Sequence, residues 1–146
     1  MSNLKIGGIE DLDTIVEMCE RFHENSVYAD TDFSYSKVRD TIRTILLGDK
    51  TKGICILSEN GMIIGVVSEL LFGTDTISSE LAWWVSPEAR GTRQALKLIE
   101  AYEYWAKNIA KVSYCQMALL GEEPRLQKLY NRRGYKITEQ AFMKEL

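Results

Sequence analysis

The residues best suited to chemistry lie where an apolar strand gives way to a helix. Trp84-Val85-Ser86-Pro87-Glu88-Ala89-Arg90-Gly91-Thr92-Arg93-Gln94-Ala95-Leu96 reads as a strand end, a glycine turn and an immediate helix start. The first turn of a helix leaves backbone N–H groups unpaired, with the positive end of the helix dipole behind them. Such a turn binds phosphate or pyrophosphate. Arg90 and Arg93 flank it with permanent charge, and arginine suits phosphate oxygens geometrically. A plain strand-to-helix turn with solvated arginines has the same spacing, and both readings stay open on these residues alone. Neither G-x-x-x-x-G-K-[ST] nor G-x-G-x-x-G occurs in the segment.

Just upstream, Glu80 is the only carboxylate in the otherwise apolar stretch Ser78-Ser79-Glu80-Leu81-Ala82-Trp83-Trp84. Partial burial raises a carboxyl pKa and equips it to take a proton from an ammonium, directly or through water. A glutamate bound to a neighbouring side chain, or facing solvent on an edge, is the alternative. Tyr130, near the end of a short basic helix, reads first as a packing residue. His23, the single histidine, reads as a helix-end or loop residue. Tyr28, Asp30, Asp32 and Phe33 form an acidic, aromatic loop of a kind that attracts a cationic amine. Arg125, Lys128, Arg132 and Arg133 read as a solvated helix face, or as groups reaching a phosphate.

The elements that position these residues follow from the apolar pattern. Leu4 to Ile6 is a first short strand, and Glu10 to Phe22 places Ile15, Val16, Met18, Cys19 and Phe22 on one helical face. A second helix runs from about Ser36 to Leu47. Gly53 to Ser58 and Met62 to Val67 form a hairpin across Asn60-Gly61, and a second turn at Gly73-Thr74-Asp75 leads into Ile77 to Val85. A long helix begins near Thr92, with Ala95, Leu98, Ile99, Tyr102, Trp105, Ala106 and Ile109 as one inward stripe. A strand from Val112 to Leu119, a helix from Pro124 to Arg133 capped by Gly134, and a last extended segment from Tyr135 to Leu146 complete the order β-α-α-β-β-β-α-β-α-β. The expectation is a single domain over residues 1–146, of mixed α/β class, with a mostly antiparallel sheet flanked by about four helices.

Two segments resemble the GNAT (Gcn5-related N-acetyltransferase) family. Val85-x-Pro87-Glu88-x-Arg90-Gly91 followed by Ala95-Leu96 is similar to its acetyl-CoA loop, Arg/Gln-x-x-Gly-x-Gly/Ala. Arg93 stands here where the family has its middle glycine. Leu129-Tyr130-Asn131-Arg132-Arg133-Gly134-Tyr135 resembles the family's LYxxxGF block. The resemblance implies acetyl-CoA as co-substrate, held by the backbone of Trp84 and Val85 and by the turn Arg90, Gly91, Thr92, Arg93, Gln94 and Ala95. It implies Tyr130 as the acid that protonates the departing thiolate, Glu80 as the base, and direct transfer of an acetyl group to a primary amine, on a small molecule or a lysine. A GNAT fold that binds CoA or a protein partner without turnover is the alternative. The short length and the Glu-x-x-Trp-Trp-Val strand also resemble acetyltransferases encoded by bacteriophages.

The bulk properties narrow the classes. A net charge of -3 gives no basic field for a nucleic-acid backbone, so such a partner is not expected. Cys19, Cys55 and Cys115 lack metal-ligand or disulfide spacing, so no metal is expected and the compartment reads as reducing. No apolar run has membrane-spanning length and the first residues lack a signal-peptide pattern, so the expected location is cytoplasmic. A homodimer is compatible with the resemblance.

Overall fold

The structure, a computed structural model, describes residues 3–146. Five strands form one sheet in chain order: β1 (Lys5–Ile6), β2 (Gly53–Ser58), β3 (Gly61–Glu69), β4 (Thr76–Val85) and β5 (Tyr114–Gln116). The first four are antiparallel neighbours, and β5 joins β4 in parallel. Helices α1 (Leu12–Glu24) and α2 (Tyr35–Leu47) precede β2, α3 (Gln94–Asn108) links β4 to β5, and α4 (Pro124–Arg132) follows. This is the mixed α/β fold with four flanking helices that the sequence predicts.

Both faces of the sheet are covered, which explains why β2 and β3 are apolar almost without interruption. Cys55, Leu57, Met62, Ile64, Ala82 and Trp84 pack with Leu12, Ile15 and Val16 of α1 and Ile42 and Leu46 of α2. Ile54, Ile56, Ile63 and Val85 pack on the other face with Leu98, Tyr102, Trp105 and Ala106 of α3. Adjacent strand residues thus serve opposite cores, as the pleat requires. The Asn-Gly hairpin forms as expected, with Ser58 paired to Gly61. Ser34 caps α2, its Oγ accepting the Lys37 N–H at 3.3 Å.

The order departs from expectation after α3. The strand expected over Val112 to Leu119 shrinks to Tyr114–Gln116, and the final strand expected over Tyr135 to Leu146 does not form among the described residues. The tail lacks the period-two pattern that would hold one face on the core. Its apolar residues Ile137, Phe142 and Met143 are separated by polar and charged ones and are exposed. Gln116 Nε2 reaches Glu139 Oε1 at 3.4 Å, a side-chain contact in place of a ladder.

Gly65 lies where the sheet meets α3 most closely. A Cβ there would come within 2.7 Å of Tyr102 Cε1 and 2.9 Å of Trp105 Cζ3, both in buried rings. Gly65→Ala is expected to destabilise the fold by about 2 kcal/mol, the usual scale of core overpacking, read as a lowered urea midpoint.

Candidate active site

The site begins with an irregularity in β4. Ile64 pairs with Ala82 while its neighbour Gly65 pairs with Glu80, so Leu81 is an extra, bulged residue. Counted back from Trp84 and Ala82 by strict alternation, Glu80 would face α1 and α2. The extra residue instead puts it in phase with Ser78, whose Oγ meets the Tyr102 hydroxyl of α3 at 3.0 Å. Beyond Ser79, where the β5 pairing ends, β4 keeps only β3 as a neighbour. From Glu80 to Val85 its second edge is bare of strand. Ser79 Oγ donates to Gln116 Oε1 at 3.0 Å, closing the end of this opening.

The chain after β5 diverges instead of continuing the ladder. Its Ala118 N–H donates to Glu80 Oε1 at 3.1 Å, and its carbonyl accepts the Tyr130 hydroxyl at 2.8 Å. The backbone of one residue, Ala118, therefore holds both Glu80 and Tyr130. Burial pushes the Glu80 carboxyl up to about 7, against the opposing pull of the Ala118 N–H. Tyr130 is buried, and burial, followed by the nearby Glu80 carboxylate, raises its pKa above the ordinary phenol value. The phenol is protonated at neutral pH, as a proton donor must be.

At the far end of the bare edge, Gly91 has φ +92, and a Cβ there would meet nothing, so backbone conformation rather than crowding favours glycine. Thr92 Oγ1 donates to Ala89 O at 2.6 Å and accepts the Gln94 N–H at 3.3 Å. Arg90 Nε donates to Val85 O at 3.1 Å and its guanidinium lies over the Trp84 ring, 4.8 Å from the centroid. Arg93 is exposed just before α3. The Gln94 side chain turns to the β2–β3 hairpin: Oε1 accepts Ser58 Oγ and Asn60 N, both at 2.8 Å, and Nε2 donates to Asn60 Oδ1 at 3.2 Å. Its side chain is thereby committed to the hairpin, and its backbone N–H to Thr92.

A model of the acetyltransferase (GNAT) family matches residues 12–135. The chain belongs to the GNAT acetyltransferase family. A search of curated protein sequences finds no match. A Clostridium acetobutylicum protein described as a predicted acetyltransferase, solved with acetyl-CoA, has a TM-score of 0.80 at 10% identity over 99% of this chain and 96% of its own. A Pyrococcus furiosus protein described as an acetyl transferase has a TM-score of 0.76 at 18% identity, with both chains fully covered. AAC(6')-Iy, solved with the bisubstrate analogue CoA-S-monomethyl-acetylneamine, has a TM-score of 0.70 at 16% identity over 100% of this chain and 98% of its own. These likenesses concern the fold.

The donor set of this GNAT chain suits an acyl-CoA. The bare β4 edge offers backbone groups to an amide-containing arm, and the start of α3 offers N–H groups to a pyrophosphate. Three buried polar atoms without a hydrogen-bond partner, Trp83 Nε1, Trp84 Nε1 and Ser86 Oγ, lie on that same stretch of chain. Unpaired buried groups are costly and are rare away from functional places. Among the described residues no group of three or more His, Cys, Asp or Glu side chains could hold a metal ion, and no helix is long and apolar enough to cross a membrane.

Other sequence expectations fare unevenly. His23 is indeed a helix-end residue, 3.1 Å from Thr31 Oγ1 and against the Phe33 ring. Val27 of the α1–α2 loop lies against Gly121 of the β5–α4 loop, so the two loops meet. Arg133 is not part of a solvated face: it pairs with Glu103 of α3. Ala118, which holds both groups, carries no sequence signal, because it acts through its backbone N–H and carbonyl alone.

The elevated Glu80 pKa has a consequence for stability. Its folded value near 7 exceeds the usual 4.5, so the native state binds more protons between those values and loses stability as pH rises through them. Glu80→Gln keeps an acceptor for Ala118 and removes the charge. It is expected to stabilise the fold by about 2 kcal/mol at pH 8 and to leave it unchanged at pH 4, measured by denaturant titration at both values.

Proposed function

We propose that the protein transfers an acetyl group from acetyl-CoA to a primary amine, with Glu80 as general base and Tyr130 as general acid. The observation that carries this reading is the backbone of Ala118, whose N–H and carbonyl hold both side chains where the chain leaves β4. Trp84 and Val85 would lie along the pantetheine arm as an added strand would, and the turn from Arg90 to Ala95 would receive the pyrophosphate. Arg90 then acts partly by ordering the turn through Val85 and Trp84, and Arg93, exposed where the family has glycine, adds a charge beside the phosphates.

An amine arrives as ammonium and must lose a proton before attack. A carboxylate with a pKa near 7 accepts it far better than an ordinary glutamate near 4.5, directly or through water. The nitrogen lone pair then adds to the thioester carbon, and a backbone N–H of the bare β4 edge would stabilise the oxyanion. As the tetrahedral adduct collapses the C–S bond breaks and the thiolate takes the Tyr130 proton; the second proton of the attacking nitrogen leaves to solvent as the amide forms, and solvent reprotonates the phenolate. No covalent enzyme intermediate is required. Burial raises the thiols of Cys19 and Cys55 to about 11 and about 12, the reverse of an activated nucleophile.

The meeting of the α1–α2 and β5–α4 loops supports an acceptor entrance on that side. Asp30 and Asp32 on one loop and Glu122 and Glu123 on the other favour a cationic acceptor. AAC(6')-Iy, whose bisubstrate analogue contains an acetylated aminoglycoside, is a fold neighbour for which an amine acceptor is evident.

Calorimetry with acetyl-CoA and a screen of small primary amines test the reading. Tyr130→Phe is expected to bind acetyl-CoA like the parent and to lose at least ~100-fold in kcat, the usual scale for a removed acid. In the parent, kcat/KM should rise with an apparent pKa near 7 that disappears in Glu80→Gln. A CoA-binding module without turnover would show binding and no activity in either protein.

A further inference from the structure

Tyr130 belongs to a short helix with little holding it. Among the nine residues of α4 it is the one that is buried, and its hydroxyl makes a single hydrogen bond, to Ala118. What fixes the helix lies just past its C-terminus. The Tyr130 carbonyl accepts N–H groups from Arg133 at 3.1 Å and Tyr135 at 3.0 Å, across a turn in which Gly134 has φ +92. That turn brings the Tyr135 ring against the Tyr130 ring, with centroids 5.6 Å apart and planes at 51°. The Tyr135 hydroxyl donates to Glu103 Oε2 at 2.7 Å. Arg133 engages both oxygens of the same carboxylate, its Nε at 3.3 Å. A single glutamate in the middle of α3, itself packed on the sheet, thus receives donors from two residues flanking the turn.

We propose that Tyr135, held by Glu103 and Arg133, is a positioning residue for the Tyr130 phenol. The proposal rests on Tyr130 being the general acid. Ring packing and the shared carbonyl give Tyr135 two mechanical links to Tyr130, and Glu103 ties both to α3. Because α3 also begins at the phosphate turn, the acid and the cofactor seat are referenced to one rigid element. Proton delivery to sulfur is sensitive to misplacement of a fraction of an ångström, whereas binding along β4 and the α3 turn does not involve this network.

The test is a double-mutant cycle on acetyl-CoA consumption, followed as CoA thiol release with water as the acceptor. Tyr135→Phe and Glu103→Ala are expected to lower kcat about 10-fold with the KM for acetyl-CoA within about twofold of the parent. Glu103→Gln, which keeps an acceptor for the Tyr135 hydroxyl, should recover most of the rate. In a Tyr130→Phe background neither Tyr135→Phe nor Glu103→Ala should lower kcat further. Equal losses in both backgrounds would overturn the proposal, as would a parental kcat in Tyr135→Phe when Tyr130→Phe alone is slow. A parental kcat in Tyr130→Phe itself would overturn the acid assignment first, and the two failures are therefore told apart. Circular dichroism establishes that each variant is folded, and Glu103→Ala carries the test if Tyr135→Phe is not.

Discussion

The backbone N–H and carbonyl of Ala118 are the constraint on which the site depends. The pairing of β5 with β4 ends at Gln116, two residues before Ala118. Here the Glu80 carboxyl takes the N–H and the Tyr130 phenol takes the carbonyl. With those two groups taken by side chains, the chain leaves β4 after β5 with the Ala118 N–H and carbonyl both hydrogen-bonded. The opening between the strands is therefore stabilised by the same two residues that the chemistry would use.

This arrangement requires the bulge at Leu81. An unbulged β4 would direct Glu80 toward α1 and α2, away from Ala118 and from α4. The bulge costs one ladder position and gives Glu80 the phase of Ser78 while leaving Ala82 and Trp84 in the opposite core. Gly65, opposite the irregularity, lets the Tyr102 and Trp105 rings of α3 close on the sheet at that level. Tyr102 then donates to Gln116 O at 2.7 Å and meets Ser78, bracing the last paired positions of β4 and β5 just before they part. Core packing and site geometry are in this way one problem with one solution.

Much of this was legible in the sequence. Asn60-Gly61 marked the hairpin, the inward stripe from Leu98 to Ala106 marked α3, and Gly91 and Gly134 marked two of the turns that adopt positive φ. Glu80 stood out as a charge among apolar neighbours, and burial does raise its pKa. The rest was not encoded locally. A bulge is invisible to alternation because Leu81, Ala82 and Trp83 are all compatible with either phase. Gln94 reads as part of the phosphate turn, yet only the folded hairpin shows that its side chain belongs to Ser58 and Asn60. The tail from Tyr135 to Leu146 reads as extended from its place in the order, but its own residues lack the pattern that makes a strand. Glu103 and Arg133 are thirty residues apart and meet only through the tertiary fold.

The most direct measurement is a crystal structure of the protein with CoA. The account predicts a pantetheine arm along the Glu80–Val85 edge of β4, the pyrophosphate at the start of α3, and the sulfur within hydrogen-bond reach of the Tyr130 hydroxyl. CoA bound elsewhere, or bound with its sulfur out of reach of Tyr130 while that hydroxyl stays on Ala118, would contradict it.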